Sequence, residues 1–172
     1  MTAQATDGGL ETCPGCGAVL ALIDGPTHDY MLSSPACWAA FGEVLAREYS
    51  DPALLDVHRL TVDTWAVQHP GDGSRRAIQS VALHLCRIRL QLFDGYSGER
   101  ANAAMLRLGR WKSEMPELPR RARYDVTVAD LRLTGDRNIH LAEIRRWALA
   151  TWEAWRDQHP FVEQYLARTG LA

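Results

Sequence analysis

The sequence predicts a mainly α-helical protein: a helical bundle preceded by a short N-terminal ribbon that carries a zinc knuckle. Two observations predict this fold. From Ser34 onward, apolar residues recur three or four positions apart, which is the spacing of one face of a helix. Before Ser34 the chain is rich in Gly, Pro, Ser and Asp, and it holds two cysteines separated by two residues.

The chain of 172 residues has the length of one domain rather than two. We expect residues 1–12 to form a disordered tail, because they are polar and show no apolar pattern. Residues 13–172 then form the single domain, which consists of a zinc-binding segment at 13–37 and a helical bundle at 38–172. Within the first segment, residues 18–24 can form one strand of the ribbon.

The first predicted helix begins at Ser34 and Pro35, since serine is a good N-cap and proline is favoured in the first turn. Four large side chains fall on its apolar face, namely Trp38, Phe41, Leu45 and Tyr49. Asp51 and Pro52 end this helix and begin the next one.

Turn sequences divide the rest of the chain into further helices. The predicted ranges are 52–68, 74–93, 99–111 and 138–158, followed by a short helix that ends at residue 168. A loop at 112–126 separates the fourth helix from the last long one, and we interpret its basic cluster as solvated. Thr127 with Asp130 has the pattern of a capping box at a short helical turn.

Composition and charge argue against two classes of partner. The formal net charge of −2 argues against binding of nucleic acid by bulk electrostatics. No apolar run approaches the roughly 20 residues that cross a bilayer, and the first dozen residues lack the apolar core of a secretion signal. We therefore expect a cytoplasmic protein whose partner is a small molecule or another protein. Disulfides are rare in that compartment, so a close cysteine pair indicates a metal or redox site.

The strongest motif is Cys-Pro-Gly-Cys-Gly at residues 13–17. Two intervening residues let both thiolates face one ion, and the glycines permit the tight turn. A tetrahedral site needs two more ligands. We add Cys37, in the first turn of the first helix, and His28, in the turn before it. The predicted site for Zn²⁺ is therefore Cys13, Cys16, His28 and Cys37, because sulfur-rich tetrahedral sites favour zinc.

Other interpretations of these residues stay open. Cys37 can be an ordinary buried thiol and His28 a turn residue. Without His28 a zinc ion would keep an open position, and the site could then be catalytic. A redox pair requires a helix that starts at Cys13, and the sequence indicates none there. Cys86 lies inside the third predicted helix, and we interpret it as part of the core.

Four inward-facing histidines are the candidate catalytic residues. His58 and His69 share the apolar face of the second helix, but about 16 Å along that helix separates them, so they cannot hold one ion. His84 faces His58 across the predicted hairpin, and His140 can complete a three-histidine cluster there. The alternative is a set of separate buried histidines, each with a satisfied hydrogen bond. Asp63 falls on the opposite side of the second helix, and we interpret it as a supporting or surface group.

Motifs along nearly the whole chain form a recognisable set. They are Cys-Pro-Gly-Cys-Gly at 13–17, Gly-Pro-Thr-His at 25–28, Ser34-Pro35 with Cys37-Trp38, His58 to Asp63, Gln68-His69-Pro70, Arg76 to Val81 with His84, His140 with Arg146-Trp147, and Trp152 to His159. This set resembles a bacterial family known only as a domain of unknown function. The resemblance implies no activity, because that family has none established. It implies a common pattern that includes His28, Cys37, His58, Gln68, His69, His84 and His140.

These observations support three functional hypotheses. The first is a zinc-binding helical-bundle protein that acts as a metal-dependent hydrolase or transferase, with the inward histidines forming its pocket. The alternative is a non-enzymatic regulator or adaptor in which zinc holds the N-terminal segment to the bundle. The third is a redox or metal sensor that uses Cys13, Cys16 and Cys37.

Overall fold

A computed structural model describes residues 5–171, which form six α-helices and a small two-stranded sheet. The predicted mainly α-helical fold is confirmed. The helices are α1 (Pro35–Ser50), α2 (Leu55–Gln68), α3 (Arg75–Phe93), α4 (Gly98–Leu108), α5 (Arg137–Ala154) and α6 (His159–Thr169). Within residues 5–171, no helix combines the length and the apolar character that are needed to span a membrane.

The N-terminal ribbon is a hairpin of two antiparallel strands, β1 (Ala5–Thr12) and β2 (Val19–Ile23). Glu11 lies opposite Leu20, and the cysteine knuckle forms the connection between the strands. The eight residues of β1 belong to the segment for which the sequence predicts a disordered tail, and residues 1–4 of that segment lie outside the described residues. Main-chain pairing with β2 orders this segment, and such pairing does not require an apolar pattern in the sequence.

Side-chain caps begin several helices where the sequence predicts them. Ser34 Oγ accepts a hydrogen bond from Cys37 N at the start of α1, and Ser74 caps α3 in the same way. The capping box of Thr127 and Asp130 is present, and it encloses a single 3-10 turn. These short-range hydrogen bonds satisfy donors that the helix itself leaves free.

The boundaries differ from the prediction in two places. A 3-10 helix at Gly109–Glu114 follows α4, so it occupies the start of the predicted loop. The predicted last long helix is two elements, because α5 ends at Ala154 and a 3-10 turn at Arg156–Gln158 leads into α6. At this break Trp155 N bonds to Trp152 O, which is the tighter 3-10 pattern.

Helix α2 lies at the centre of the bundle and packs against α1, α3, α4 and α5. Side chains on all its sides are buried, among them Val57, Leu60, Trp65 and Val67. Beyond its first turn, where Asp56 is exposed, the helix offers its polar residues little contact with solvent. The buried polar side chains of α2 therefore depend on partners inside the protein, and among the described residues only single atoms such as Trp65 Nε1 and Gln68 Oε1 lack one.

The segment between β2 and α1 is joined to the turn that follows α2. Met31 pairs with Gly71 as an isolated antiparallel bridge. A Cβ atom on Gly71 would lie 2.2 Å from Tyr30 O, so this close approach requires glycine. The junction places the knuckle beside His69 at the C-terminal end of α2.

Candidate metal centre and the buried histidines

Three thiols and one imidazole meet where the ribbon, the start of α1 and the end of α2 come together. They belong to Cys13, Cys16, Cys37 and His69, and their ligand atoms all lie within 4.8 Å of one another. Cys16 Sγ lies 3.8 Å from Cys37 Sγ, and His69 Nε2 lies 3.2 Å from Cys37 Sγ and 3.5 Å from Cys13 Sγ. This thiol–histidine cluster can hold a metal ion. Within residues 5–171 it is the one group of three or more His, Cys, Asp or Glu side chains with such a geometry.

The orientation of His69 suits a metal ligand. Its Nδ1 lies 2.7 Å from the main-chain oxygen of Trp65, so Nδ1 carries the hydrogen and donates to that oxygen. Nε2 is then free of a proton and faces the thiols. The imidazole also stacks on the indole of Trp65, with ring centroids 4.0 Å apart and an angle of 19° between the planes. Metal-bound histidines are commonly oriented by such a hydrogen bond from the second ring nitrogen.

The two glycines of the knuckle have separate steric roles. A Cβ atom on Gly15 would lie 2.5 Å from His69 Cδ2 and 2.3 Å from Leu32 O, so the knuckle reaches the histidine only with glycine there. Gly17 has a φ of +79°, in the left-handed region that glycine adopts without strain. A Cβ atom on Gly17 would also lie 2.9 Å from Ala122 O.

The three thiols cannot all ionise without a compensating positive charge. The hydrogen bonds of Cys13 with Cys16 and Cys37 lower the pKa of the Cys13 thiol. The hydrogen bond to Cys13, together with burial, raises the pKa of Cys16 to about 12. Hydrogen bonds to Cys13 and Cys16, together with burial, also raise the pKa of Cys37. A bound dication would supply the charge that three thiolates need.

His28 does not join the three thiols, which corrects the predicted ligand set. Its Nδ1 accepts hydrogen bonds from Tyr30 N and Met31 N, both at 3.3 Å, and its ring packs edge-on against Trp38 with centroids 5.2 Å apart. Burial lowers the pKa of His28. His28 thus shapes the turn as a structural residue, and His69 takes the place beside the thiols.

A second polar group centres on Glu48 in the last turn of α1. This carboxylate is fully buried, and its oxygens lie 2.8 Å from His58 Nδ1, 3.1 Å from His140 Nε2 and 2.5 Å from Thr61 Oγ1. Arg47 donates to His140 Nδ1 at 3.2 Å, so His140 is neutral and donates to Glu48 from Nε2. Burial raises the pKa of Glu48 to about 7 and lowers the pKa values of His58 and His140.

A third polar group centres on Asp63, which is fully buried on α2. Asp63 Oδ1 lies 2.7 Å from His84 Nδ1 and 2.8 Å from Arg87 Nη2, and Oδ2 accepts from Gln91 Nε2 at 2.8 Å. Burial lowers the pKa of Arg87, while the nearby Asp63 carboxylate opposes that effect. The group is thus a buried ion pair with two further donors.

The four histidines predicted as catalytic are divided among three places: His58 and His140 with Glu48, His84 with Asp63, and His69 with the thiols. The predicted cluster of three histidines is not formed. His58 and His140 bind the buried carboxylate of Glu48, whereas His84 binds that of Asp63. Asp63 is also buried and does not lie at the surface. No sequence pattern marks Glu48 as a functional residue. Gln68-His69-Pro70 marks His69 as part of a motif but not as a neighbour of the thiols.

We expect a Glu48→Gln variant to change how stability depends on pH. The pKa of Glu48 rises from its ordinary value of 4.5 to about 7 on folding, so the folded protein binds this proton more tightly. The resulting stabilisation is complete below pH 4.5 and is lost as the pH rises to about 7. The free energy of unfolding of the variant should therefore be lower than that of wild type by a deficit that is about 1–3 kcal/mol larger at pH 5 than at pH 8. Urea unfolding at the two pH values measures the difference.

Glu43→Gln is the matched control, because Glu43 is an exposed carboxylate on the same helix. Its stability should follow the wild-type pH profile. A deficit for Glu48→Gln that stays constant between the two pH values would contradict the prediction, since it would mean that folding leaves the pKa of Glu48 unchanged. A deficit that grows toward pH 8 would also contradict it, since the ionised carboxylate would then be the stabilising form.

Comparison with protein families identifies the relationship that the motifs indicate. The model of a family of unknown function, DUF5946, matches residues 11–156. This range includes the thiol–histidine cluster, the Glu48 group and the Asp63 group. No curated protein and no solved structure matches the chain.

Proposed function

The chain belongs to the DUF5946 family of unknown function, and we propose that it binds one structural Zn²⁺ and acts as a non-enzymatic regulator or adaptor. The zinc ligands are Cys13, Cys16, Cys37 and His69. The observation that carries this proposal is the closed geometry of the thiol–histidine cluster. In the cytoplasm, where we place the protein, thiols remain reduced and available to a metal.

The spacing of the four ligand atoms supports zinc. Zn–S bonds of about 2.3 Å and Zn–N bonds of about 2.0 Å, arranged as a tetrahedron, separate two sulfurs by about 3.8 Å and a sulfur from a nitrogen by about 3.5 Å. Three of the six separations are 3.8 Å between the sulfurs of Cys16 and Cys37, and 3.2 and 3.5 Å from His69 Nε2 to the sulfurs of Cys37 and Cys13; the other three are at most 4.8 Å. Three thiolates and one imidazole are also a donor set that favours zinc over harder cations.

Burial supports a structural rather than a catalytic ion. Each of the four ligand residues is at most 1% exposed. A catalytic zinc has three protein ligands and keeps a fourth position for water or substrate. Four protein ligands with no access to solvent leave no such position. A zinc ion here would join the knuckle to the ends of α1 and α2, and its binding would add to the stability of the fold.

The second candidate function is a metal-dependent hydrolase or transferase that uses the inward histidines. The observation that favours it is Glu48, a buried carboxylate with a pKa of about 7 beside two histidines, because groups that titrate near neutrality suit acid–base chemistry. Two features weigh against it: the histidines that share Glu48 do not form a metal site with it, and the thiol–histidine cluster is closed.

Metal stoichiometry separates these functions. Protein purified without added metal should contain one zinc per chain by mass spectrometry, and Cys13→Ser should lose it and melt at lower temperature. A His58→Ala/His84→Ala double variant should retain the single zinc, because neither histidine is a ligand. Two ions in the wild-type protein, one of them lost with the two histidines, would favour the enzyme.

Cys86→Ala is the control for removal of a thiol. Cys86 is fully buried in α3 and stands outside the thiol–histidine cluster, so this variant should keep its zinc. Zinc retained at full stoichiometry by Cys13→Ser would overturn the proposed site.

A further inference from the structure

A cavity of about 410 Å³ opens beside the first two turns of α2, and the proposed zinc plays no part in it. Four elements form its walls: the first two turns of α2, the last turn of α3, the loop between α3 and α4, and the first half of α5. The volume falls within the range of roughly 300–1,000 Å³ that small-molecule sites occupy. Its lining combines aliphatic, aromatic and charged side chains.

The apolar part of the lining is formed by Val57, Leu60, Leu141 and the ring of Tyr96. Val57 and Leu60 are buried and belong to the core. The guanidinium of Arg100 lies over the ring of Tyr96, 3.8 Å from the ring centroid, and Tyr96 N donates to Leu90 O at 3.1 Å. These contacts hold the aromatic wall in place before any ligand binds.

Three polar side chains border this apolar surface: those of Asp56 and Arg145, which are exposed and carry opposite charges, and that of Gln91, which is buried. Arg145 Nη2 donates to Leu92 O at 3.1 Å, which anchors the guanidinium, while its other nitrogens make no hydrogen bond to any residue the structure describes. The Asp56 carboxylate has neither a hydrogen bond nor an ion pair within residues 5–171. Both hydrogens of Gln91 Nε2 are used, by Asp63 and by Arg87 O, so the carbonyl oxygen of this nine-tenths buried side chain is left to accept a further bond.

We propose that this cavity binds a small zwitterion with an apolar side chain, of the size of an amino acid or a dipeptide. Arg145 would bind the ligand carboxylate, since a guanidinium pairs with a carboxylate through two parallel hydrogen bonds. Asp56 and Gln91 Oε1 are acceptors, which suit an ammonium or amide N–H. The aliphatic and aromatic walls suit an apolar side chain. A ligand with only one charge would leave either Asp56 or Arg145 without its partner.

Calorimetry with the zinc-replete full chain tests this site. The probes are L-phenylalanine and L-leucyl-L-phenylalanine, with 3-phenylpropionate and L-phenylalaninamide as analogues that lack the ammonium and the carboxylate, respectively. We expect at least one of the two zwitterions to bind, and both analogues, each of which lacks one charge, to bind at least tenfold more weakly than it does. Arg145→Met and Asp56→Asn should each weaken zwitterion binding at least tenfold, because each removes one of the two charges.

Arg110→Met is the control, since Arg110 is exposed and follows α4 at the end remote from the cavity. It should bind the zwitterion as wild type does. The absence of binding by both zwitterions at millimolar concentration would overturn the proposal, as would binding that Arg145→Met and Asp56→Asn leave unchanged. Zinc content, measured on the same samples, reports separately on the thiol–histidine cluster, so failure of one proposal is distinguishable from failure of the other.

Discussion

Replacement of His69 by alanine should remove stoichiometric zinc and much of the thermal stability of the protein. Loss of a group that merely orients a metal ligand costs about 10- to 100-fold in metal affinity, so loss of a ligand should cost more than about 100-fold. Zinc held at about 1,000 times its Kd stabilises a protein by about 4 kcal/mol. In a chain of this length, that corresponds to roughly 8–16 °C in Tm. Wild-type Tm should fall on addition of a chelator, whereas the Tm of His69→Ala should already be low and should not respond.

His28→Ala is the matched control for this experiment. His28 accepts two main-chain hydrogen bonds in its turn, so its loss should cost about 1 kcal/mol of stability without loss of zinc. Zinc content by mass spectrometry and competition with a chromophoric chelator distinguish the two variants. The reverse result, with zinc lost from His28→Ala and retained by His69→Ala, would restore the ligand set predicted from the sequence.

The contrast between these two histidines shows what the sequence could predict about the site. The knuckle motif is local, and so is the N-cap that presents Cys37, so three thiols were predictable from spacing and capping alone. The fourth neighbour depends on a long-range junction, in which Met31 pairs with Gly71 beside the end of α2. His28 is closer to the cysteines in sequence, but no local rule reveals that it accepts main-chain hydrogen bonds in its own turn and packs against Trp38.

Helix periodicity predicts which side chains face the interior only in part. It predicted that His58, His84 and His140 face the interior, and all three make hydrogen bonds to buried carboxylates. It also placed Asp63 on the opposite side of α2, where a surface helix would meet water. Because α2 is surrounded by four helices, that side is interior as well, and Asp63 is buried there. Periodicity identifies the faces of one helix but not how many of them other helices cover.

Loss of the buried ion pair between Asp63 and Arg87 should therefore strongly destabilise the fold. We expect Asp63→Asn to lower the free energy of unfolding by about 3–5 kcal/mol, because it leaves a buried guanidinium without its counter-charge. The asparagine keeps the shape of the side chain, so the loss is electrostatic rather than a cavity effect. For a chain of this length the change corresponds to roughly 6–20 °C in Tm. Urea unfolding gives the free energy, and calorimetry gives Tm.

Two further variants test the cause of that loss. Glu114→Gln removes one member of an exposed pair with Arg168, and it should cost less than about 1 kcal/mol. Asp63→Asn/Arg87→Met should be more stable than Asp63→Asn alone, since it leaves no buried charge unpaired. If the two substitutions instead destabilise additively, the penalty of Asp63→Asn comes from lost packing and hydrogen bonds. The buried charge of Arg87 would then be compensated by another group of the protein or by water.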